Sequence, residues 1–174
     1  GSAIGGALSS KVIDDIEDMR TKVYSLLGGN SNSFDAFLLS QGMKTLEVRI
    51  ERNCENAEVV AKFLNEHSAV GKVNYLGLSS HPDYLTSQKQ MKHPGAMMSF
   101  DMKDGLQGGI GFINKLQMCV RAVSLGTCDT LLSHPASMTH YGVPKEKREK
   151  YGITDGLIRM SVGIENVADI LNDL

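Results

Sequence analysis

At 174 residues and 41% hydrophobic content, the chain is long enough for one domain with a buried core. A net charge of −2 with dispersed basic residues gives no electrostatic footprint for nucleic acid or an anionic membrane surface, and no apolar run approaches a membrane span. Cys54, Cys119 and Cys128 are widely spaced and form no Cys-x-x-Cys pair, which argues against a disulfide scaffold or a zinc site and for a reducing compartment, with a cytoplasmic setting as the default. Gly1-Ser2 reads as a scar of tag removal, so a lost signal segment would leave no trace.

From Ser9 or Ser10, apolar residues recur at helical spacing through Val12, Ile16, Met19, Val23 and Leu26, and Gly28-Gly29-Asn30 ends the run. Ser33 reads as the cap of a second helix over 34 to 66, with a spine of Leu46, Ile50, Cys54, Ala57, Ala61 and Leu64. Such a helix would be roughly 50 Å long, more than one compact domain of this size needs, and suits a link between two bodies. Gly42 is the place where it would bend or break.

Val73–Leu76 then reads as a strand, and Pro82 opens a short helix with Tyr84 and Leu85. Met98, Phe100 and Met102 alternate with Ser99 and Asp101 as a strand with one buried face. A helix over Gly105–Gln117, a strand over Met118–Ala122, a charged helix after Pro144, a strand around Arg159 and a last helix through Val167, Ile170 and Leu171 follow. Four strands among helices predict an α+β layer, a small antiparallel sheet covered by helices on one side.

Four stretches invite chemistry. In Gly156-Leu157-Ile158-Arg159-Met160-Ser161-Val162-Gly163, Arg159 falls on the face opposite Ile158 and Met160. A guanidinium held on a strand suits two-pronged carboxylate recognition, or else is a solvated edge-strand arginine. Gly108-Gly109-Ile110-Gly111 lacks the spacing of a phosphate fingerprint and reads as close helix packing. His134-Pro135-Ala136-Ser137-Met138-Thr139-His140 fits no zinc pattern and reads as a proline-stiffened loop whose hydroxyls satisfy backbone groups. Ser124-Leu125-Gly126-Thr127-Cys128-Asp129-Thr130 follows a strand end, a usual place for ligand groups and for plain turns; Cys128 reads as a packing residue.

Arg121–Gly126, His134–His140 and Gly152–Glu165 in that order resemble the carboxy-terminal half of the pyridoxal-phosphate enzymes of cysteine and methionine metabolism. That family includes the methionine γ-lyases, cystathionine γ-synthases, cystathionine γ-lyases and cystathionine β-lyases. The resemblance extends through Gly42–Arg49 and Pro94–Phe100, and the His134–His140 and Cys128–Leu131 stretches are most similar to the methionine γ-lyases.

The resemblance implies fold type I architecture, with residues 1–32 as the tail of a large, mostly missing cofactor domain, 33–67 as a linking helix and 68–174 as the small domain. It implies pyridoxal 5′-phosphate as cofactor, a sulfur amino acid as substrate, and a homo-oligomer, dimer or tetramer, completed by an amino-terminal half. The reaction implied is trans-sulfuration chemistry, chiefly γ-elimination of methionine to 2-oxobutanoate, methanethiol and ammonia. Arg159 would grip the substrate carboxylate, Ser124 would help position it, Leu125 would line the pocket and Thr139 would stand behind. The Schiff-base lysine and the cofactor-binding residues of the family are not found in this chain, which is expected to be inactive alone. A second reading keeps the family but makes cystathionine or O-acylhomoserine the substrate, as in the cystathionine γ-synthases, γ-lyases and β-lyases, and a stand-alone, non-catalytic amino-acid-binding module is the reading from a different class.

Overall fold

The computed structural model describes residues 3–174; the Gly1-Ser2 opening lies outside the described residues. The chain divides into two compact units, one ending at Glu47 and the other spanning Val48–Leu174.

In the first unit, helix α1 (Ile13–Asp18) runs into a π-helical stretch, Met19–Tyr24, and then into α2 (Ser25–Leu27), which Gly28 closes at φ 68°. The helix begins later than its sequence pattern predicts because the Ser10 hydroxyl accepts the Val12 N–H at 3.0 Å and holds Val12 extended. Hydroxyls also occupy carbonyls along the π-helical stretch: Thr21 donates to Glu17 at 2.7 Å and Ser25 to Arg20 at 3.0 Å. The next helix, α3 (Ser33–Met43), is capped by Asn32, not by Ser33 as expected; the side-chain Oδ1 of Asn32 accepts the Asp35 N–H at 2.8 Å.

The single helix expected from 34 to 66 is two. The chain turns at Lys44-Thr45, just past Gly42, and resumes as α4 (Leu46–Glu66). Burial along α4 starts at Asn53 and Cys54 and recurs at Asn56, Ala57, Val60, Ala61 and Leu64; Leu46 and Ile50, the first members of the expected spine, are exposed.

The second unit contains the sheet. Its further elements are β1 (Val70–Asn74), α5 (Tyr84–Gln90), β2 (Met97–Met102), α6 (Gly105–Lys115), β3 (Val120–Arg121), β4 (Leu131–Ser133), a 3-10 turn at Pro135–Ser137, α7 (Lys145–Lys150), β5 (Leu157–Ser161) and α8 (Val167–Asp173). The spatial order is β1-β2-β5-β4-β3. Three of the pairings are antiparallel, but β3 runs parallel to β4. The sheet is therefore mixed, not antiparallel as expected, and β4 is a fifth strand that the pattern did not foretell. Leu131, Leu132 and Ser133 are all buried, so no alternation marks them.

One face of the sheet carries Val73, Met98, Phe100, Leu132, Ile158 and Met160 into a core completed by Ala57, Val60, Ala61 and Leu64 of α4, Ile113 of α6 and Ile170 of α8. Each large apolar side chain buried there contributes about 1.5–3 kcal/mol. Phe100 meets Phe112 edge-on at 5.6 Å between ring centroids. Arg148, one of the charges of the helix expected after Pro144, is buried. Its guanidinium donates to the Asp155 carboxylate at 2.7 Å and to the Ile153 carbonyl at 3.1 Å.

Candidate functional site

Because paired residues in a sheet project to the same side, the register places Asn74, Ser99, Arg159 and Ser133 in one row across β1, β2, β5 and β4, on the face away from the core. The Asn74 amide donates to the Ser99 hydroxyl at 3.2 Å. Above this row lies a hollow of about 530 Å³, lined by apolar side chains such as Leu76, Met97 and Leu157 and by the polar Asn74, Ser99, His81, His140 and Arg159. An apolar hollow with one fixed cation suits a small anion-bearing ligand.

Arg159 is half-buried and anchored on one side only. Its Nη1 donates to the carbonyls of Val123 at 3.1 Å and Ser124 at 3.4 Å. Among the described residues nothing accepts from Nε or Nη2, so that edge of the fork remains available for a bidentate contact.

The other predicted site residues are distributed unevenly. Ser124 meets Arg159 through its carbonyl, while its side chain is exposed. Thr139 is exposed, and its hydroxyl lies 2.9 Å from Nδ1 of His140, which lines the hollow. Leu125 is 55% exposed and does not line the hollow. Cys128, read as a packing residue, is exposed; Cys54 and Cys119 are buried, and loss of solvation pushes the Cys119 thiol up to about 12.

A buried polar network fixes the ends of the 122–130 loop and of β5. The Glu165 carboxylate accepts the Thr130 N–H at 2.5 Å and the Thr130 hydroxyl at 2.9 Å, and that hydroxyl accepts the Gly163 N–H at 2.9 Å. From α4, Asn53 donates to the Val162 carbonyl at 2.6 Å, and Asn56 to the carbonyls of Gly163 and Glu165 at 3.0 and 2.9 Å. The signal for these residues was present in the sequence. Two asparagines three apart interrupt the apolar spine of α4, a position that demands buried partners.

The motif His134–His140 contributes packing as well as a lining residue. His134 is fully buried, with Nε2 at 2.7 Å from the Asp155 carbonyl and Nδ1 at 2.8 Å from the Ser137 hydroxyl. A carbonyl only accepts, so Nε2 carries the proton, and in the neutral ring Nδ1 accepts from Ser137. Asp155 itself sits between Arg148 and Lys145, whose hydrogen bonds hold its carboxyl below the usual range.

The Cys/Met metabolism PLP-dependent enzyme family model matches residues 1–174. The chain belongs to this family. It is 53% identical to the L-methionine gamma-lyase of Fusobacterium nucleatum subsp. polymorphum over 80% of this chain and 35% of that protein. It is 47% identical to the L-methionine gamma-lyase of Porphyromonas gingivalis over 100% of this chain and 44% of that protein. Its fold is similar to the crystal structure of a cystathionine γ-lyase from Micromonospora echinospora, with a TM-score of 0.85, 34% identity, and coverage of 92% of this chain and 42% of that one. The chain thus spans less than half the length of the relatives it matches.

The family is pyridoxal-phosphate dependent. The hollow beside Arg159 has no lysine and no phenyl, phenol or indole ring in its lining, so its residues do not fit that cofactor as a holding site. What they offer is one guanidinium beside an apolar wall.

Proposed function

We propose that this chain is the carboxy-terminal part of a pyridoxal-phosphate-dependent carbon–sulfur lyase that cleaves methionine and water to 2-oxobutanoate, methanethiol and ammonia. In this reading residues 1–32 are the tail of the cofactor domain, 33–67 the link and 68–174 the small domain. The complete protein is a cytoplasmic homo-oligomer. The 174 residues are inactive alone, because the anchoring lysine lies outside them.

The observation that carries the proposal is the free Nε/Nη2 edge of Arg159 facing an apolar hollow. Arg159 fixes the α-carboxylate in one plane, and Ser124 and the turn around it set the position of that plane. Leu125 and Thr139 contribute to the wall of the site once the rest of the enzyme is present. The identity to methionine γ-lyases favours methionine. The likeness to a cystathionine γ-lyase structure supports a second reading, in which cystathionine is the substrate.

The deciding experiment assays the full-length protein with pyridoxal phosphate on methionine and on cystathionine. Methanethiol release with a higher kcat/KM for methionine supports the first reading. Preference for cystathionine supports the second, and turnover of neither rejects both.

A further inference from the structure

The turn Val123–Gly126 is fastened to β5 at two points, and only one of them is Arg159. Two residues further along the strand, on the same face, the hydroxyl of Ser161 accepts the Gly126 N–H at 3.1 Å. Ser161 is 2% exposed, so the acceptor is held in packed surroundings, while Gly126 itself lies in the exposed turn. Gly126 has a φ of 73°, a left-handed conformation that glycine adopts without the steric cost of a side chain. Its N–H is thereby turned down onto the strand. The two fastenings divide the labour: Arg159 holds the entry to the turn through the carbonyls of Val123 and Ser124, and Ser161 holds its exit.

This arrangement has a consequence for the guanidinium. The Nη1 donor of Arg159 takes its direction from two carbonyls that belong to the turn, so the plane of the fork follows the turn. If the exit is released, the Ser124 carbonyl is free to shift, and the Nε/Nη2 edge loses its fixed orientation. A bidentate contact is sensitive to such a change in a way that a point-charge contact is not.

We infer that Ser161 is a positioning residue for substrate-carboxylate binding, acting through the Gly126 N–H on the turn that orients Arg159. The inference rests on the lyase reading above for the identity of the ligand. The turn-fastening itself does not depend on that reading.

The test uses Ser161→Ala, Ser161→Cys and Ser161→Thr. Ser161→Cys keeps the buried volume but weakens the acceptor, which guards against a packing effect in the alanine variant. In the full-length enzyme, Ser161→Ala and Ser161→Cys are expected to raise KM for methionine about tenfold with kcat changed less than about threefold, and Ser161→Thr to restore KM. In the 174-residue chain, hydrogen exchange at the Gly126 amide is expected to accelerate about tenfold in the first two variants and not in the third. Unchanged Gly126 exchange in Ser161→Ala overturns the fastening. Accelerated exchange with an unchanged KM, or equal losses in KM and kcat, overturns the positioning role. A wild-type enzyme that turns over no sulfur amino acid rejects the lyase reading and the ligand assignment with it, and the exchange result then stands separately.

Discussion

Gly109 of α6 lies directly against the imidazole of His134, close enough that a Cβ at 109 would overlap the ring at Nε2. That nitrogen is the one that donates to the Asp155 carbonyl. The helix can approach the strand end only because position 109 has no side chain, and the approach packs the helix backbone against the ring edge that meets Asp155.

Gly109→Ala is therefore expected to destabilise the chain by about 1–3 kcal/mol, through overpacking and a displaced His134. Gly111, with open space around its Cβ position, serves as the control. Gly111→Ala should be neutral or stabilising, since alanine is the better helix former. Urea denaturation of both variants reads the difference, and equal midpoints would remove the close-packing account.

Arg159→Lys in the full-length enzyme is expected to raise KM for methionine by about 10- to 100-fold, because an ammonium cannot reproduce the two-pronged fork or keep both turn carbonyls. Steady-state kinetics on methionine checks this. An unchanged kcat/KM would sink the assignment of Arg159 to the carboxylate.

Acid should weaken the fold through two carboxylates. Asp155 is held below its ordinary value of 3.8 by Arg148 and then Lys145. For Asp173, burial works against the charge, but the N–H groups of Cys119, Gln117 and Met118 outweigh it and the net shift is downward. A carboxyl with a depressed folded pKa adds stability that is fully present above its unfolded value and is lost as pH falls through the folded one. Stability measured by denaturant titration should thus fall below about pH 4. Asp173→Asn should flatten that slope while lowering stability at neutral pH.

Native alkylation should label Cys128 and spare Cys54 and Cys119, which are buried. The elevated Cys119 thiol adds a second reason for its inertness, since the thiolate is the reactive form. Intact mass after iodoacetamide, with and without denaturant, counts the labels. Prompt native labelling at Cys119 would contradict its burial.

Periodicity located the helices and most of the strands, and it placed Arg159 opposite the core, because Ile158 and Met160 mark the buried side of β5. It did not locate β4, since a strand buried on both faces loses its alternation. Nor did it separate α3 from α4, because the break at Lys44-Thr45 interrupts no apolar pattern. At the site, the guanidinium was legible from strand geometry, but its partners were not. Arg159 meets two main-chain carbonyls, and main-chain acceptors carry no residue signature. Arg148 misled for a related reason: its neighbours on α7 are solvated charges, and only the return of Asp155 from a later segment makes its burial affordable.

The parallel alignment of β3 with β4 imposes its own requirement on the chain. Two adjacent antiparallel strands can be closed by a two-residue hairpin, but strands running the same way oblige the backbone to travel back to its starting end. Residues 122–130 make that return without a helix, and the path takes them over β5, where Ser124 and Gly126 come to rest. The length and course of the segment beside Arg159 are thus fixed by strand direction. Within that path Gly126 supplies the left-handed turn and Thr130 the bonds to Glu165 and Gly163, so the two ends of the return are fixed to β5 and the residues that follow it.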